Sequence, residues 1–451
     1  MKRFSITTMP LLALWMCLIV AAPAGAQTTG TSGHQPAAFK LSITERFRIE
    51  TYDNTVTLSK AAKAASSYAR NRINVMAQWY PDPSVELAAM VSNEFRNYFS
   101  PSTNSFHMNE VYFDQLYVKV KTAGLADGEL TLGRQNITLG EGFLVMEGTP
   151  LDGSRSIYFN AARFDWNASP IHQLTFFYTY QPKIDKLPVL NGRDIDPSNQ
   201  GDGSWNLAEQ TESGGGLYYT GKLADVNLQA YVLRKDYLDP DVKAGQTTHG
   251  VNTAGGRVSA AFDRHFSATA EGAWQFGTSQ HIRKNAFGGY AYGTYASLAE
   301  PGIIPKKISI GAVYLSGDDR STKDDEGWDP LFSRWPKWSD SYVYTQVKEF
   351  GKPAYWSNMM SLYASMLFSL DDQFDVSAAY HHLTAPQAGT ATALLSGKGD
   401  VRGDLFIAKL LFTMSKTVSG HVIIEHFIPG NYYFDNADVS NWARIELLFK
   451  L

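Results

Sequence analysis

Apolar and polar residues alternate one by one along most of the chain, in about eighteen segments of roughly ten residues each. In residues 41–50 the odd positions are apolar except for Glu45, and the even positions are polar or charged. Residues 73–79 and 85–95 repeat this rhythm. Because successive side chains of a strand point to opposite faces, each segment predicts a strand with one apolar and one polar face. A membrane-spanning β-barrel has this period.

The connections between these segments fall into two length classes that alternate. Short links lie near residues 81–83, 167–170, 224–225, 371–373 and 415–417, and long ones occupy 135–154, 182–213, 317–356 and 384–401. This alternation predicts an all-β fold: a single transmembrane antiparallel barrel of about 18 strands, with short periplasmic turns and long extracellular loops. The link at 301–307 is long for its class, and residues 286–297 hold too many Gly and Tyr to be oriented.

The two ends of the chain favour export. Lys2 and Arg3 precede an apolar stretch over residues 9–22, and Ala24-Gly25-Ala26 follows it as a small-x-small cleavage site. We therefore expect a cleaved signal peptide at 1–26, a flexible leader at 27–38 and the barrel at 39–451. Cys17 allows a lipoprotein signal as the alternative, although Trp15 and Met16 stand where small residues would be needed. At the other end, apolar and polar residues alternate from 443 to 451, as in a closing strand.

The composition agrees with a barrel that contacts both lipid and water. Charged residues make up 19% of the chain and aromatic residues 13%, a balance that suits aromatic girdles and a poorly charged outer face. A large secreted β-sandwich or propeller would share this balance. Beyond the signal segment no uninterrupted apolar run is long enough for a transmembrane helix. The net charge of −4 argues against a nucleic-acid partner.

If the polar faces point inward, charged side chains line the lumen. The anions that we place there include Glu50 and Glu94 as candidate solute-contacting groups, and also Glu86, Glu271, Glu425 and Glu446; Lys409 is a further lumen cation. The candidate solute-contacting cations are Arg46, Arg48, Arg70, Arg72, Arg96, Lys119, Arg134, Arg163, Arg257 and Arg444.

The cations cluster on the first three predicted strands. A hairpin through residues 54–66 would bring Arg46 and Arg48 beside Arg70 and Arg72 on one wall. Clustered guanidinium groups in a narrow pore attract anions and bind carboxylates in a bidentate way. The alternative is that Arg and Glu pair across neighbouring strands and merely fill the lumen. Mixed Arg/Glu walls also occur in pores that pass sugars, so the pattern alone names no solute.

One long loop combines acidic and aromatic residues. Asp318, Asp319 and Asp324 are weak candidates for a Ca²⁺ site, but they lack EF-hand spacing, so an acidic, solvated extracellular loop is the plainer interpretation. The same loop carries four large aromatic residues that suit bulk water poorly, which predicts that it folds into or over the pore: Trp328, Phe332, Trp335 and Trp338.

No catalytic constellation stands out, so we expect neither an enzyme nor a cofactor. His381 and His382 are adjacent in a predicted strand and would point to opposite faces, which makes them a poor joint site.

Several short motifs resemble the alginate-export porin family, and the resemblance covers the chain from about Phe39 to Leu451. It implies an 18-stranded outer-membrane barrel whose arginine-lined pore conducts an anionic polyuronate outward. The motifs are Leu132-Gly133-Arg134-Gln135, Gly140-Glu141-Gly142, Asp152-Gly153-Ser154-Arg155, Tyr158-Phe159-Asn160-Ala161-Ala162-Arg163-Phe164, Ser316-Gly317-Asp318-Asp319 and Asp329-Pro330-Leu331-Phe332.

The residues and the resemblance together predict an outer-membrane channel for an anionic polysaccharide or a smaller anionic solute. The alternative is a general porin for neutral sugars or other small solutes. Outer-membrane lipid is an expected partner, and periplasmic export components are a further candidate. A barrel enzyme would need a hydrolytic triad in the lumen, and a receptor would need a folded plug domain before the first strand.

Overall fold

The computed structural model describes the chain from Ala38 onward, with gaps. The described residues are 38–55, 57–104, 111–122, 127–146, 159–182, 185, 187, 189–190, 211–238, 249–279, 282–333, 338–341, 348–349, 352–353 and 357–451. The expected signal peptide and nearly all of the leader lie outside this part of the chain.

Most of the described residues form strands. One short 3-10 helix, Lys60–Ala62, lies between the first two strands. In chain order the strands are β1 (Ala38–Asp53), β2 (Ser66–Asp82), β3 (Val85–Ser100), β4 (Val111–Thr122), β5 (Gly128–Gln135), β6 (Phe159–Ser169), β7 (His172–Gln181), β8 (Val189–Leu190), β9 (Thr211–Leu223), β10 (Val226–Leu238), β11 (His249–Ala261), β12 (Phe266–Ser279), β13 (Ile282–Ala296), β14 (Lys307–Leu315), β15 (Lys348–Glu349), β16 (Lys352–Pro353), β17 (Met359–Ser369), β18 (Phe374–Thr384), β19 (Val401–Thr413), β20 (Val418–Pro429) and β21 (Ser440–Lys450).

Eighteen of these strands close into one antiparallel barrel, which confirms the predicted fold. Each long strand pairs with the next long strand along the chain, and β21 returns to pair with β1, where Arg48 lies opposite Glu446. Closure leaves no open sheet edge, as a membrane-embedded sheet requires. Three further strands have two residues each: β8 pairs with β4 of the barrel sheet, and β15 and β16 pair with each other.

The connections sort onto two ends of the barrel. One end, called the short-turn end, holds links such as 83–84, 170–171 and 224–225. Strand β1 begins and strand β21 ends at this same end. The opposite, long-loop end holds links such as 136–158 and 316–358. Strict alternation of length was wrong at two places: only residues 280–281 separate β12 from β13 at the long-loop end, and the long link 297–306 separates β13 from β14 at the short-turn end.

Strand β13 contains the stretch that the sequence could not orient. Tyr290 points into the barrel and is buried, whereas Phe287 and Tyr295 point outward and are exposed. Tyrosines and glycines occur on both faces of this strand, so the usual contrast between an apolar and a polar face is missing. The long link before β14 occupies residues 297–306 and remains on the short-turn end.

The outer face of the barrel is apolar and its inner face is largely polar. Phe39 and Ile310 lie outward with 66% and 67% of their surface exposed, while Arg48 and Glu50 point inward and are fully buried. Such an outer face requires lipid, since exposed apolar surface on this scale is unfavourable in water. No helix within the described residues is long and apolar enough to cross a membrane.

Two of the long loops fold into the lumen and pack against each other. Phe143, from the link after β5, stacks on Trp328, from the link after β14, with ring centroids 5.3 Å apart. A backbone hydrogen bond of 3.0 Å from Phe332 N–H to the Leu144 carbonyl ties the same two segments together. These buried aromatic residues belong to an apolar core that also includes side chains of other strands, such as Leu405 on β19 and Trp442 on β21. The predicted inward folding of the aromatic loop is thus seen for Trp328, Phe332 and Trp338, and Trp335 lies outside the described residues.

Gly288 makes the close packing of Trp328 on the wall possible. A Cβ atom added at this inward position would meet the Trp328 ring at 2.6 Å, so any larger residue would displace the indole. Fully burying an aromatic side chain of this size stabilises a fold by roughly 1.5–3 kcal/mol. Gly288 therefore provides room for the inserted loop.

Adjacent residues of β14 test the assignment of the two faces. Ile310→Lys places a charge on the lipid face and should lower the free energy of unfolding by about 2–4 kcal/mol. Ser309→Lys, one residue earlier and facing the lumen, should cost much less, because water can reach the ammonium group. Urea unfolding in lipid bilayers, followed by the heat-modifiable mobility of the folded barrel, measures both. Equal losses for the two variants would contradict the assignment.

Candidate functional site

A ladder of arginines crosses β1, β2, β3 and β21 on the inner wall. Arg46 lies directly opposite Arg72, and Arg48 opposite Arg70. On the next strand Arg96 lies opposite Arg70. The predicted wall of four guanidinium groups is therefore present, extended by Arg96 and by Arg444 on β21 to an arginine ladder of six residues. Like charges directly opposite each other destabilise a sheet, so other interactions must offset the repulsion between these arginines.

Four carboxylates of the same wall interleave with the arginine ladder. Arg48 bonds to Glu446, Arg444 Nε lies 2.9 Å from Glu50, and Arg70 Nε lies 2.7 Å from Glu94. Arg72 lies 3.3 Å from Asp114 on β4. Pairing between neighbouring strands, the alternative left open by the sequence, thus occurs together with the cluster. Among the residues that the structure describes, the six guanidinium groups of this wall outnumber its four carboxylates, which gives a local cationic surplus.

The other predicted lumen cations are matched one to one. Lys119 lies 2.8 Å from Glu129, and Arg163 lies 2.8 Å from Asp165. Arg134 binds Asp185 through two hydrogen bonds of 3.0 and 2.7 Å, and Arg257 bonds to Glu141. The structure places all of these cations in the lumen, yet it does not bring them together with the arginine ladder. The surplus is therefore local to β1–β3 and β21.

A third inserted segment, residues 338–341, carries a carboxylate to the edge of the arginine ladder. Asp340 lies 2.6 Å from Lys409 on β19 and 3.4 Å from Arg444. Glu425 on β20 holds the backbone of the same segment: its carboxylate accepts hydrogen bonds from the Ser339 hydroxyl at 2.6 Å and from the Asp340 N–H at 2.7 Å. The segment is thus fixed at the wall by its backbone as well as by its charge.

The electrostatics of Asp340 keep it ionised. Burial alone would raise the pKa of Asp340, but the adjacent Lys409 and Arg444 outweigh burial and hold this pKa below its usual range. At neutral pH the segment therefore presents a carboxylate anion to two wall cations.

Several charged residues at the site escaped the sequence analysis. Asp114, Asp185 and Asp340 meet their partners only through contacts distant in the sequence, so periodicity gives no indication of them. Arg402 was missed for a local reason: a β-bulge between β18 and β19 near Gly403 shifts the alternation. Arg402 thereby points inward, is fully buried, and donates to the Asn358 carbonyl at 3.0 Å.

The acidic loop uses its carboxylates within the protein. Asp324 bonds to Arg283, and Asp319 accepts the Ser321 N–H at 2.9 Å. Asp318 accepts the Glu326 N–H at 3.1 Å. No group of three or more His, Cys, Asp or Glu in the described part of the chain is arranged to hold a metal ion.

The adjacent histidines point to opposite faces, as predicted. His381 is buried in the lumen beside the Ser361 hydroxyl at 3.2 Å. His382 lies on the outer face, where its Nδ1 is 2.9 Å from Asp404.

Comparison with known proteins places this architecture in a family. The sequence matches the alginate export family over residues 36–390, which is more than three quarters of the chain. The chain belongs to the alginate export family. No curated protein matches the sequence of this alginate-export family member.

Solved structures share the fold of this family member at low sequence identity. OccK5 (OpdH) of Pseudomonas aeruginosa has a TM-score of 0.57 at 13% identity, over 92% of this chain and 98% of its own. OccAB3 of Acinetobacter baumannii has a TM-score of 0.56 at 14% identity, over 92% and 99%. The outer membrane protein opdK of P. aeruginosa has a TM-score of 0.56 at 12% identity, over 92% and 98%.

Family, closed barrel and apolar outer face together identify an outer-membrane channel in contact with membrane lipid. The family and the fold are those of channel proteins. Its inner wall carries the arginine ladder on β1–β3 and β21, together with an apolar core to which the inserted loops contribute.

The carboxylates of the arginine ladder should be needed for stability. Glu94→Gln removes the buried carboxylate that lies 2.7 Å from Arg70 and 4.0 Å from Arg96, which should cost about 3–5 kcal/mol of unfolding free energy. Glu129→Gln is the matched control, because its bridge to Lys119 is about 30% exposed and should be worth under about 1 kcal/mol. Urea unfolding in bilayers measures both. A Glu94→Gln barrel as stable as the control would show that the guanidinium groups need no carboxylates.

Proposed function

We propose that this channel passes an anionic polysaccharide of the polyuronate type, or a smaller anionic solute, along the arginine ladder. The observation that carries the proposal is the set of opposed arginine pairs, Arg46 with Arg72 and Arg48 with Arg70. Their mutual repulsion costs stability and is only partly offset by the interleaved carboxylates. The carboxylate of a passing solute would offset more of the repulsion between these arginines. The excess of guanidinium groups over carboxylates would then serve to bind the solute.

The chemistry of arginine suits a moving polyanion. A guanidinium group binds a carboxylate with two parallel hydrogen bonds, and it stays charged under all ordinary conditions. The low-dielectric walls of a narrow pore focus the field of fixed charges and raise the local concentration of anions. The carboxylates Glu50, Glu94, Glu446 and Asp114 keep the individual sites weak, so that an anion bound at one position moves on to the next.

We propose that transport runs outward, and membership of the alginate export family supports this direction. With the short-turn end in the periplasm, the arginine ladder, Lys409 and Asp340 lie along the path of a chain that is pushed outward. Export components that feed the polymer would then dock at the short-turn end. The alternative is a general porin for neutral sugars. The one-to-one charge pairs on the rest of the inner wall would favour this alternative.

Ion selectivity separates the two functions. Reconstituted pores should prefer anions in a salt gradient at low ionic strength, where the Debye length is about 10 Å at 0.1 M, and should lose much of this preference at 1 M, where it is about 3 Å. Replacing Arg46, Arg48, Arg70 and Arg72 by Gln should reduce or reverse the preference. The reversal potential in planar bilayers measures it. A native pore that prefers cations at low salt would favour the neutral-sugar porin.

A smaller substitution guards against misfolding. Arg46→Gln with Arg72→Gln removes one opposed pair and leaves the contacts of Arg48, Arg70 and Arg444 with their carboxylates in place. Arg234→Gln with Arg283→Gln is the matched control, because it removes the same charge from exposed positions away from the arginine ladder. The first pair should shift the reversal potential toward zero, and the control should not.

A further inference from the structure

A cavity of about 310 Å³ lies in the lumen beside the inserted segment 338–341. Two cations, Lys307 and Lys409, contribute to its lining, together with the rings of Trp338, Tyr363 and His381. Hydroxyl groups come from three serines on the strands, Ser309, Ser365 and Ser377. The volume is at the lower end of the range for small-molecule sites, which combine aromatic surface with a few placed polar groups.

The aromatic side chains of the cavity are held in place by one another. Tyr363 stacks on His381 with centroids 5.0 Å apart, and Trp338 packs edge-on against Tyr290 at 5.8 Å. Trp338 also forms a side-chain hydrogen bond with Tyr363. Rigid ring faces beside hydroxyl groups suit a sugar ring, which presents both C–H faces and hydroxyl edges.

A carboxylate of the protein itself lies against the cationic corner of this cavity, which is formed by Lys409 of the lining and by the adjacent Arg444. The Asp340 carboxylate lies 2.6 Å from Lys409 Nζ and 3.4 Å from Arg444 Nη1, where the carboxylate of a sugar acid would bind. We propose that this cavity is a sugar-acid subsite in which the Asp340 side chain is a displaceable stand-in for the carboxylate of the solute. This inference rests on the proposed passage of polyuronates and gives it a specific binding position.

The geometry allows the exchange without unfolding the segment. Glu425 holds the backbone of residues 339–341 through the Ser339 hydroxyl and two N–H groups, at 2.6, 2.7 and 3.1 Å. The Asp340 side chain is 14% exposed and that of Lys409 is 31% exposed, so solvent reaches both. Rotation of one side chain therefore vacates the cationic corner while the segment stays at the wall.

The position of the subsite along the lumen supports its role in passage. Lys409 lines the cavity, and Arg444 belongs to the arginine ladder, so Asp340 bridges the two. A carboxylate released from Lys409 has the next guanidinium group within reach of one side-chain rotation. Asp340 would then reduce the passage of small anions when no sugar acid is present. The carboxylate of an arriving sugar acid would displace it.

Binding of a monomeric sugar acid tests the subsite. Galacturonate, added to the reconstituted full-length barrel at low salt, should interrupt the single-channel current more strongly than galactose. Asp340→Asn removes the competing charge and should tighten the apparent affinity for galacturonate by about tenfold, as expected for one charge-assisted contact. Lys409→Gln should weaken it by a similar factor, and Tyr363→Ala should weaken binding of both sugars.

The matched control is Asp324→Asn, since it neutralises another loop carboxylate, which bonds to Arg283 and lies outside the cavity lining. It should leave the galacturonate affinity unchanged, and heat-modifiable mobility should show that each variant folds. Equal block by galacturonate and galactose, or an Asp340→Asn affinity no tighter than that of native protein, would overturn the subsite. If the native pore is nevertheless anion-selective, the proposed function stands and only the subsite is rejected. If the native pore also shows no anion selectivity, the proposed function is rejected as well.

Discussion

The two-residue period of a closed antiparallel ladder is the constraint on which the rest of this structure depends. In a membrane every backbone N–H and C=O group must be paired within the protein, so the sheet has to close, and β21 has to meet β1. Once it closes, each side chain faces either lipid or lumen. A shift of one residue would carry Arg46 and Arg48 into the bilayer, at a cost of about 2–4 kcal/mol for each charge near the midplane.

The interior holds two kinds of packing. Apolar aromatic residues from the inserted loops, such as Phe143 and Trp328, pack against each other inside the barrel and narrow the lumen. On the wall of β1–β3 and β21, interleaved carboxylates allow opposed arginines to coexist. The segment that carries Asp340 contacts both, because Trp338 packs against the apolar core and Asp340 lies beside Arg444.

Sequence alone was sufficient for features that depend on local periodicity. The strand number, the closing C-terminal strand and the Arg46–Arg72 wall follow from alternation and one hairpin. Features that depend on distant contacts were not predictable in this way: Asp340 meets Arg444 from a loop 104 positions away. The bulge at Gly403 turns Arg402 inward and defeats the alternation within one strand. The expectation of a polyuronate came from the family resemblance, because the alternation of residues does not predict a solute.

The most direct test of the central claim compares two polymers that differ only in charge. Polyuronate oligomers and their carboxyl-reduced, neutral counterparts of equal length would be added separately to native single channels at low salt. If the arginine ladder is the path, the charged oligomers should block the current at far lower concentration, and the difference should shrink as salt screens the ladder. Equal block by both polymers, or stronger block by the neutral one, would contradict an anion-conducting path.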